Sequence, residues 1–441
     1  MSAIAEVLVQ LGFNVQGSDL SNSSNVKKLR SLGVTVFLEH KKENIKGATI
    51  ISHSSAINKK NPEYKAALEI KIPLLNRAQL LADIMKIKKG IAVAGTHGKT
   101  TTTSILSTLL TEIGEDPTYI IGGIVKNLGG HAKVGRGEYF VAEADESDGS
   151  FLMLNPIASI ITNIDNDHLD FYGSEEDLKI AFGKFANQIP FFGVCAVNYE
   201  DPNLKEISER IDKPIITFAA DEKYTDADYI AYNLIQSEKG VEFDLKTKNK
   251  NLGKYFVSTP GRHNVLNATA ALSVCLELGF DENKLKDALK KFEGVGRRFQ
   301  KVYEYQNFEV IDDYGHHPTE ISETIKTAKA SRKNKEIIII FEPHRYTRTR
   351  DCWQQFLHCF NNADKVYFAP IYPASEEPIS GINSEQLSHD INKLHPGLTS
   401  FFKDWNSMKD LINKMKNQEV LLLALGAGAV GKKVREIVAT I

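Results

Sequence analysis

At 441 residues the chain is long enough for two to four domains, each with its own core. Its net charge of −2 gives no support for bulk attraction to nucleic acid or to a membrane surface, and no apolar run approaches the ~20 residues of a membrane span. Four cysteines, Cys195, Cys275, Cys352 and Cys359, are scattered without Cys-x-x-Cys spacing and read as buried, reduced thiols of a cytosolic protein.

Residues 1–11 read as a helix, with Ile4, Val7, Leu8 and Leu11 on one face and Gly12 ending it. A strand at 13–17 closes on Ser18-Asp19. Helix 26–32, strands 35–38 and 48–52, and helices 62–69 and 77–85 follow. Such alternation predicts a parallel α/β sheet. Asp19, just past a strand, stands where a Rossmann-like domain contacts a nucleotide ribose. The polar stretch 86–90 marks a first boundary.

Next comes Ile91-Ala92-Val93-Ala94-Gly95-Thr96-His97-Gly98-Lys99-Thr100-Thr101. A short apolar strand leads into a glycine turn and then a helix over 100–113, with Ile105, Leu106, Leu109, Leu110 and Ile113 on one face. That layout suits a phosphate-binding loop: backbone N–H groups and the helix dipole face the anion. Lys99 would reach the β/γ-phosphates and the Thr100 hydroxyl would ligate Mg²⁺. Only Thr96 and His97 separate the two glycines, whereas the usual pattern has four residues there.

Strands are expected at 119–121, 139–142, 157–162 and 194–198, with short antiparallel strands over 224–257 as an insertion or appended sheet. Helices 265–278 and 282–292 precede a second boundary near Gly294-Val295-Gly296. Beyond it, strands 308–312, 337–341, 365–368 and 420–424, with helices 319–330 and 352–360, predict a further doubly wound unit. The expected domains are 1–88, 89–295 and 296–441.

Several strand ends carry chemistry. Glu143 follows strand 139–142 and opens an acidic loop through Asp148, well placed to hold Mg²⁺ directly or through water. His168 sits among the acids of 163–170. Its spacing leaves a structural and a ligand role equally open, and a His ligand alone would suggest a transition metal. Asn264 and Asn267 lie three apart on a helix; their amides suit an adenine edge, and Asn264 equally suits an N-cap. Arg345 and Arg348 offer planar forks for a carboxylate or phosphate. Leu425-Gly426-Ala427-Gly428-Ala429-Val430-Gly431-Lys432 fits a second nucleotide pattern, but Lys433 stands where a hydroxyl is needed, so a structural turn is the preferred reading.

Together these segments strongly resemble the Mur ligase family. The resemblance rests on Gly-Thr-His-Gly-Lys-Thr-Thr at 95–101, Glu-Ala-Asp-Glu-Ser-Asp at 143–148 and Thr-Asn-Ile-Asp-Asn-Asp-His-Leu-Asp at 162–170. It continues with Gly-Arg-His-Asn-Val-Leu-Asn at 261–267, Asp-Asp-Tyr-Gly-His-His-Pro-Thr-Glu at 312–320 and Pro-His-Arg-Tyr-Thr-Arg-Thr at 343–349. It covers nearly the whole chain, and the short loop is the family's own version. It implies a three-domain α/β fold: a Rossmann-like N-terminal domain, a central P-loop ATPase-like domain with a mostly parallel sheet, and a Rossmann-like C-terminal domain.

The implied activity is ATP-dependent amide formation between the lactyl carboxylate of UDP-N-acetylmuramate and L-alanine, through an acyl phosphate, in the bacterial cytoplasm. The rivals are the muropeptide-recycling ligase acting on the same sugar and a truncated, poorly active nucleotide-sugar-binding relative. The implied cofactors are ATP and Mg²⁺, with no nucleic-acid or membrane partner and a monomer or homodimer. By resemblance Lys99, His168 and Arg345 are catalytic. Gly95, Thr96, His97, Gly98, Lys99, Thr100, Thr101, Asn264, Asn267, Arg298 and Asp312 surround ATP, and Thr100, Glu143 and His168 hold metal. Asp19, Arg77, Thr96, His97, Tyr314, His316, Arg345 and Arg348 bind the two other substrates. The family begins with a strand and a glycine-rich loop that here would precede Met1. About 20 residues are therefore expected to be missing, with weakened binding of the UDP-substrate.

Overall fold

The computed structural model describes every residue except Ser55 and Ile441, and the Asp170 side chain also lies outside the described residues. The chain forms two compact units. The first comprises residues 1–232, 244–253 and 266–292, and the second 233–243, 254–265 and 293–441.

A ten-stranded sheet has most of its strands in the first unit. In spatial order its strands are Asn251–Val257, Gly240–Thr247, Tyr229–Ser237, Ile215–Ala219, Val194–Asn198, Ala158–Ile161, Lys89–Ala94, Tyr139–Glu143, Thr118–Val125 and Gly130–Lys133. Lys89–Ala94 pairs in parallel with Tyr139–Glu143 on one side and Ala158–Ile161 on the other. Residues Ile91 to Ala94 are fully buried, as a strand covered on both faces requires. The strands expected over 224–257 extend this same sheet: Tyr229–Ser237 pairs in parallel with Ile215–Ala219. The strand expected at 119–121 runs on through Gly122 and Gly123 to Val125, and its pairing with Gly130–Lys133 shifts register between Ile120 and Val125.

The start of the chain departs from a single expected sheet. Gln16–Ser18 pairs in parallel with Thr35–Phe37, and Ile51–His53 with Leu74–Asn76, as two separate two-stranded sheets. Phe13 is solvent-exposed, and pairing begins only at Gln16 opposite Thr35, so the first strand is shorter and later than its apolar pattern suggests. Helix Ser2–Gln10 packs into the core of the large sheet. Ile4 and Val7 join Leu81, Ile84 and Met85 of helix Arg77–Met85 in one cluster with Ala92, Phe140 and Ile161.

The second unit holds a six-stranded sheet in the order Gln300–Tyr305, Phe308–Asp313, Val420–Leu425, Glu336–Phe341, Lys365–Phe368, Thr399–Phe401. The first pair is antiparallel and the rest parallel. Alternation explains its continuous apolar runs. Ile337, Ile339, Phe341, Leu421 and Leu423 fill one core, while Ile338, Ile340 and Leu422 fill another on the opposite face. The helix expected at 352–360 is only the short Trp353–Phe356, and a second short helix, Tyr346–Asp351, precedes it, the two separated where Cys352 leaves helical geometry. Strand Gln300–Tyr305, helices Ser384–Leu394, Trp405–Met415 and Val430–Val438, and strand Thr399–Phe401 complete the unit.

Candidate active site

Strand Lys89–Ala94 ends in the glycine loop, and helix Lys99–Glu112 starts from it. Its N-cap is Gly98, at φ 85°, and among the described residues it has no side-chain cap hydrogen bond. A Cβ on Gly98 would sit 2.8 Å from Asn267 Oδ1, so both the backbone and the space call for glycine. An uncapped helix N-terminus offers its N–H groups to an anion.

Lys99 curls over this turn. Its Nζ donates to Gly95 O at 2.6 Å, Thr96 O at 3.2 Å and Glu146 Oε1 at 2.8 Å. Burial works against the ammonium charge, but Glu146, Asp145 and Glu143 outweigh it and hold the Lys99 pKa above its usual value. Glu146 is almost fully buried, and burial pushes its carboxyl up to about 7 despite Lys99. The second oxygen, Oε2, has no hydrogen-bond partner among the described residues. Thr100 Oγ1 donates to Glu143 Oε2 at 3.2 Å, and Gly122 N donates to Glu143 Oε1 at 2.5 Å. Lys99, Glu143, Asp145 and Arg77 line a cavity of about 110 Å³ with Ile120, Ile121 and Gly122. Arg77 approaches Asp145 Oδ2 at 4.0 Å.

His168 follows strand Ala158–Ile161 in a left-handed conformation at φ 61° and opens the short helix Leu169–Tyr172. Its Nε2 is 3.6 Å from Asp167 Oδ2 and 3.9 Å from Glu146 Oε1, so the structure brings it to the carboxylate that Lys99 touches. Thr96 and His97 bind the same strand-end loop. His97 N donates to Asn163 Oδ1 at 2.8 Å, its Nε2 meets Asp165 Oδ2 at 3.0 Å, and Asp165 N donates to Thr96 Oγ1 at 2.9 Å. Thr101 is buried in the first helical turn. Asp19 is exposed and turns back on its own loop, accepting from Ser21 N at 2.8 Å.

Asn264 is buried and donates to Pro260 O at 2.7 Å from within helix Arg262–Glu277, so it is not the N-cap its position also suited. In the second unit, Arg297 and Arg298 stack on the Tyr314 ring at 4.8 and 5.2 Å, and Arg298 reaches Glu320 Oε1 at 3.6 Å. Asp312 is fully buried, paired with Arg435 and 3.7 Å from Arg297 Nε, so its carboxylate braces the interior. His316 Nδ1 is 3.0 Å from Tyr314 O, and its ring lies 5.9 Å from that of His344. His344 stacks flat on Tyr372, its Nδ1 3.5 Å from Arg348 Nη1. Burial, then His316, Arg348 and Arg345, lower its pKa to about 4. Arg345 is half exposed, with Nε 3.9 Å from Glu376 Oε1.

The glycine turn 426–431 is sealed as a phosphate site. Glu342 Oε2 accepts from Val430 N at 3.1 Å at the start of helix Val430–Val438, and Arg297 Nη2 donates to Gly426 O at 2.6 Å. A Cβ on Gly431 would meet Asp312 Oδ1 at 2.2 Å. The structural reading of this turn holds.

Three family models match the chain in order: Mur ligase family, catalytic domain over residues 1–89; Mur ligase middle domain over 93–275; and Mur ligase, glutamate ligase domain over 297–428. The chain belongs to the Mur ligase family. A relative from Solidesulfovibrio magneticus, named UDP-N-acetylmuramate--L-alanine ligase, is 44% identical over 98% of this chain and 93% of its own. One of the same name from Geobacter is 41% identical over the same shares. The crystal structure of UDP-N-acetylmuramate-alanine ligase from Thermotoga maritima superposes with a TM-score of 0.84 at 28% identity, covering all of this chain and 96% of that one. A murein peptide ligase from Psychrobacter arcticus shares the fold at a TM-score of 0.72 and 22% identity. The three-domain α/β plan expected of a Mur ligase is therefore the right one.

Sequence reasoning about this Mur ligase passed over Glu146, Asn163, Asp165, His344 and Glu376 as individual site residues. Glu146 was one of four acids in an undifferentiated run. Asn163 and Asp165 stood inside a noted motif without a partner being visible. Glu376 lies outside every motif, and only the fold brings it to Arg345.

Proposed function

We propose that the protein is an ATP-dependent carboxylate–amine ligase that joins L-alanine to the lactyl carboxylate of UDP-N-acetylmuramate in bacterial cytoplasm, as a step of peptidoglycan precursor synthesis. We assign UDP-substrate binding to residues 1–88, ATP binding to 89–295 and amino-acid binding to 296–441. The observation that carries this reading is the uncapped N-terminus of helix Lys99–Glu112, with the Lys99 ammonium held over it by Glu146.

A carboxylate is a poor electrophile. The reaction forms an O–P bond between it and the γ-phosphoryl group as ADP leaves. The alanine amine then attacks the carbonyl, phosphate departs from the tetrahedral intermediate, and the nitrogen loses a proton. Phosphoryl transfer of this kind depends on positioning and charge neutralisation. Lys99 faces the transferring group, and the backbone N–H groups of the 98–101 turn hold the phosphate oxygens. The Thr100 hydroxyl and Glu143 carboxylate, 3.2 Å apart, form an oxygen donor pair that suits Mg²⁺, with His168 as a further ligand. When bound, the metal supplies charge neutralisation at the phosphates. Asn264 and Asn267 are assigned to the adenine, Arg298 and the region of Asp312 to the rest of the nucleotide, and Arg77, Thr96 and His97 to the muramoyl substrate. Tyr314, His316, Arg345 and Arg348 form the alanine subsite, the two guanidiniums suiting its carboxylate.

The test is phosphate release from ATP with UDP-N-acetylmuramate, with and without L-alanine, glycine, L-serine or a muropeptide tripeptide. Release that needs both the sugar and L-alanine is expected. Release stimulated by the tripeptide and not by alanine would replace this reading with peptide recycling.

A further inference from the structure

Arg345 carries an awkward backbone. Its φ of 72° lies in a region that residues with side chains rarely adopt, and it forms the N-cap of helix Tyr346–Asp351 without a side-chain hydrogen bond of its own. Strain of this kind persists only where neighbouring structure imposes it. The loop that follows strand Lys365–Phe368 does so. Arg345 N donates to Tyr372 O at 2.9 Å, and Tyr372 N donates to Pro343 O at 2.8 Å. Farther along, Ala374 and Ser375 are themselves left-handed, at φ 48° and 72°, and together they turn the chain so that Glu376 faces the helix start.

Glu376 then does what an N-cap side chain would do, from another segment. Its Oε2 accepts from Thr347 N at 3.0 Å and its Oε1 from Thr347 Oγ1 at 2.6 Å. The same Oε1 lies 3.9 Å from Arg345 Nε. One carboxylate thus fixes the first turn of the helix that presents both Arg345 and Arg348. It is also a counter-charge to Arg345 and, at longer range, to Arg350. Glu376 itself is partly buried against burial's own cost, and the two Thr347 bonds with Arg345 keep its carboxyl ionised at lower pH than usual.

We propose that Glu376 is a positioning residue for the amino-acid substrate: by holding Thr347 and Arg345 it pre-sets the guanidinium pair that receives the substrate carboxylate. This rests on the assignment of Arg345 and Arg348 to the alanine subsite. Pre-organisation lowers the cost of binding one small ligand and leaves the other substrates untouched.

The experiment measures KM for L-alanine, ATP and UDP-N-acetylmuramate, each with the other two saturating, in the wild type and in Glu376→Ala, Glu376→Gln and Thr347→Val. The alanine KM rises roughly 10-fold in Glu376→Ala and less in the other two, while the KM values for ATP and the sugar stay within about 2-fold. An alanine KM unchanged in Glu376→Ala overturns the proposal. So does a parallel rise of all three KM values with a lowered Tm, which marks a merely structural role. If Glu376→Ala does not fold, Thr347→Val decides, and an unmoved alanine KM there is equally fatal. Failure of the parent assignment shows separately, as a wild type whose phosphate release ignores alanine.

Discussion

The chain contains two strand–glycine–helix junctions that end in Gly-Lys, at 95–99 and at 426–432. They differ in what stands at the helix N-terminus. In the first, no side chain caps helix Lys99–Glu112, and Lys99 bends back over the turn to meet Glu146. In the second, the Glu342 carboxylate sits on Val430 N, Arg297 ties down the turn's carbonyl oxygens, and Lys432 points away, with a side chain 74% exposed. Glu342 is buried, which raises its pKa against the hydrogen bonds it accepts. The same backbone plan thus leaves a helix start without a capping side chain in one place and makes an internally neutralised joint in the other. The difference comes from residues far away in sequence.

Exchanging the two lysines for alanine sharpens this contrast most. Lys99→Ala is expected to lower alanine-dependent phosphate release by about 10³-fold or more, as loss of a charge facing a transferring group does, whereas Lys432→Ala stays within about 2-fold. Comparable losses in both would erase the distinction. Removing the plug comes next. Glu342→Ala leaves the start of helix Val430–Val438 without its acceptor and should cost about 1–3 kcal/mol of stability, read from denaturant unfolding. An unchanged midpoint would mean that the carboxylate does not hold the joint.

The smallest effect concerns the arginine-rich loop. His344 is held neutral, with a folded pKa of about 4, below the ordinary histidine value of 6.5. The unfolded chain therefore binds more protons in that interval, and stability falls as pH drops from about 6.5 towards 4. His344→Gln should flatten that part of the Tm-versus-pH curve. A curve that keeps its slope would place the titration on other groups, such as His316 or His263, whose pKa values are also lowered by burial.

The sequence was most informative where local pattern and global packing agree. The buried run Ile91 to Ala94, the helix after it and helix Pro62–Glu69 were legible because apolar pattern and flanking turn residues coincide. Strand Leu74–Asn76 was missed because three residues carry too little alternation to stand out, and it exists through pairing with Ile51–His53. The amphipathic helices Ser384–Leu394 and Trp405–Met415 were passed over amid polar residues, although Leu387, Ile391, Met408 and Ile412 mark their buried faces. In the site, motif residues were visible one by one, but their pairing was not. Nothing local says that Lys99 meets Glu146 rather than Glu143, or that Asp312 faces Arg435 and not solvent.

Helix Ser2–Gln10 has a consequence for how the chain folds. Gln10 accepts a hydrogen bond from Val134 N, 124 residues downstream, and Ile4 and Val7 share a core with Ala132 of that part of the large sheet. During synthesis at about 5–20 residues per second, the contact between Gln10 and Val134 cannot form for roughly 6–25 s after Gln10 is made. The helix is thus anchored by a contact of long sequence separation, whose closing is slower than any local step of folding.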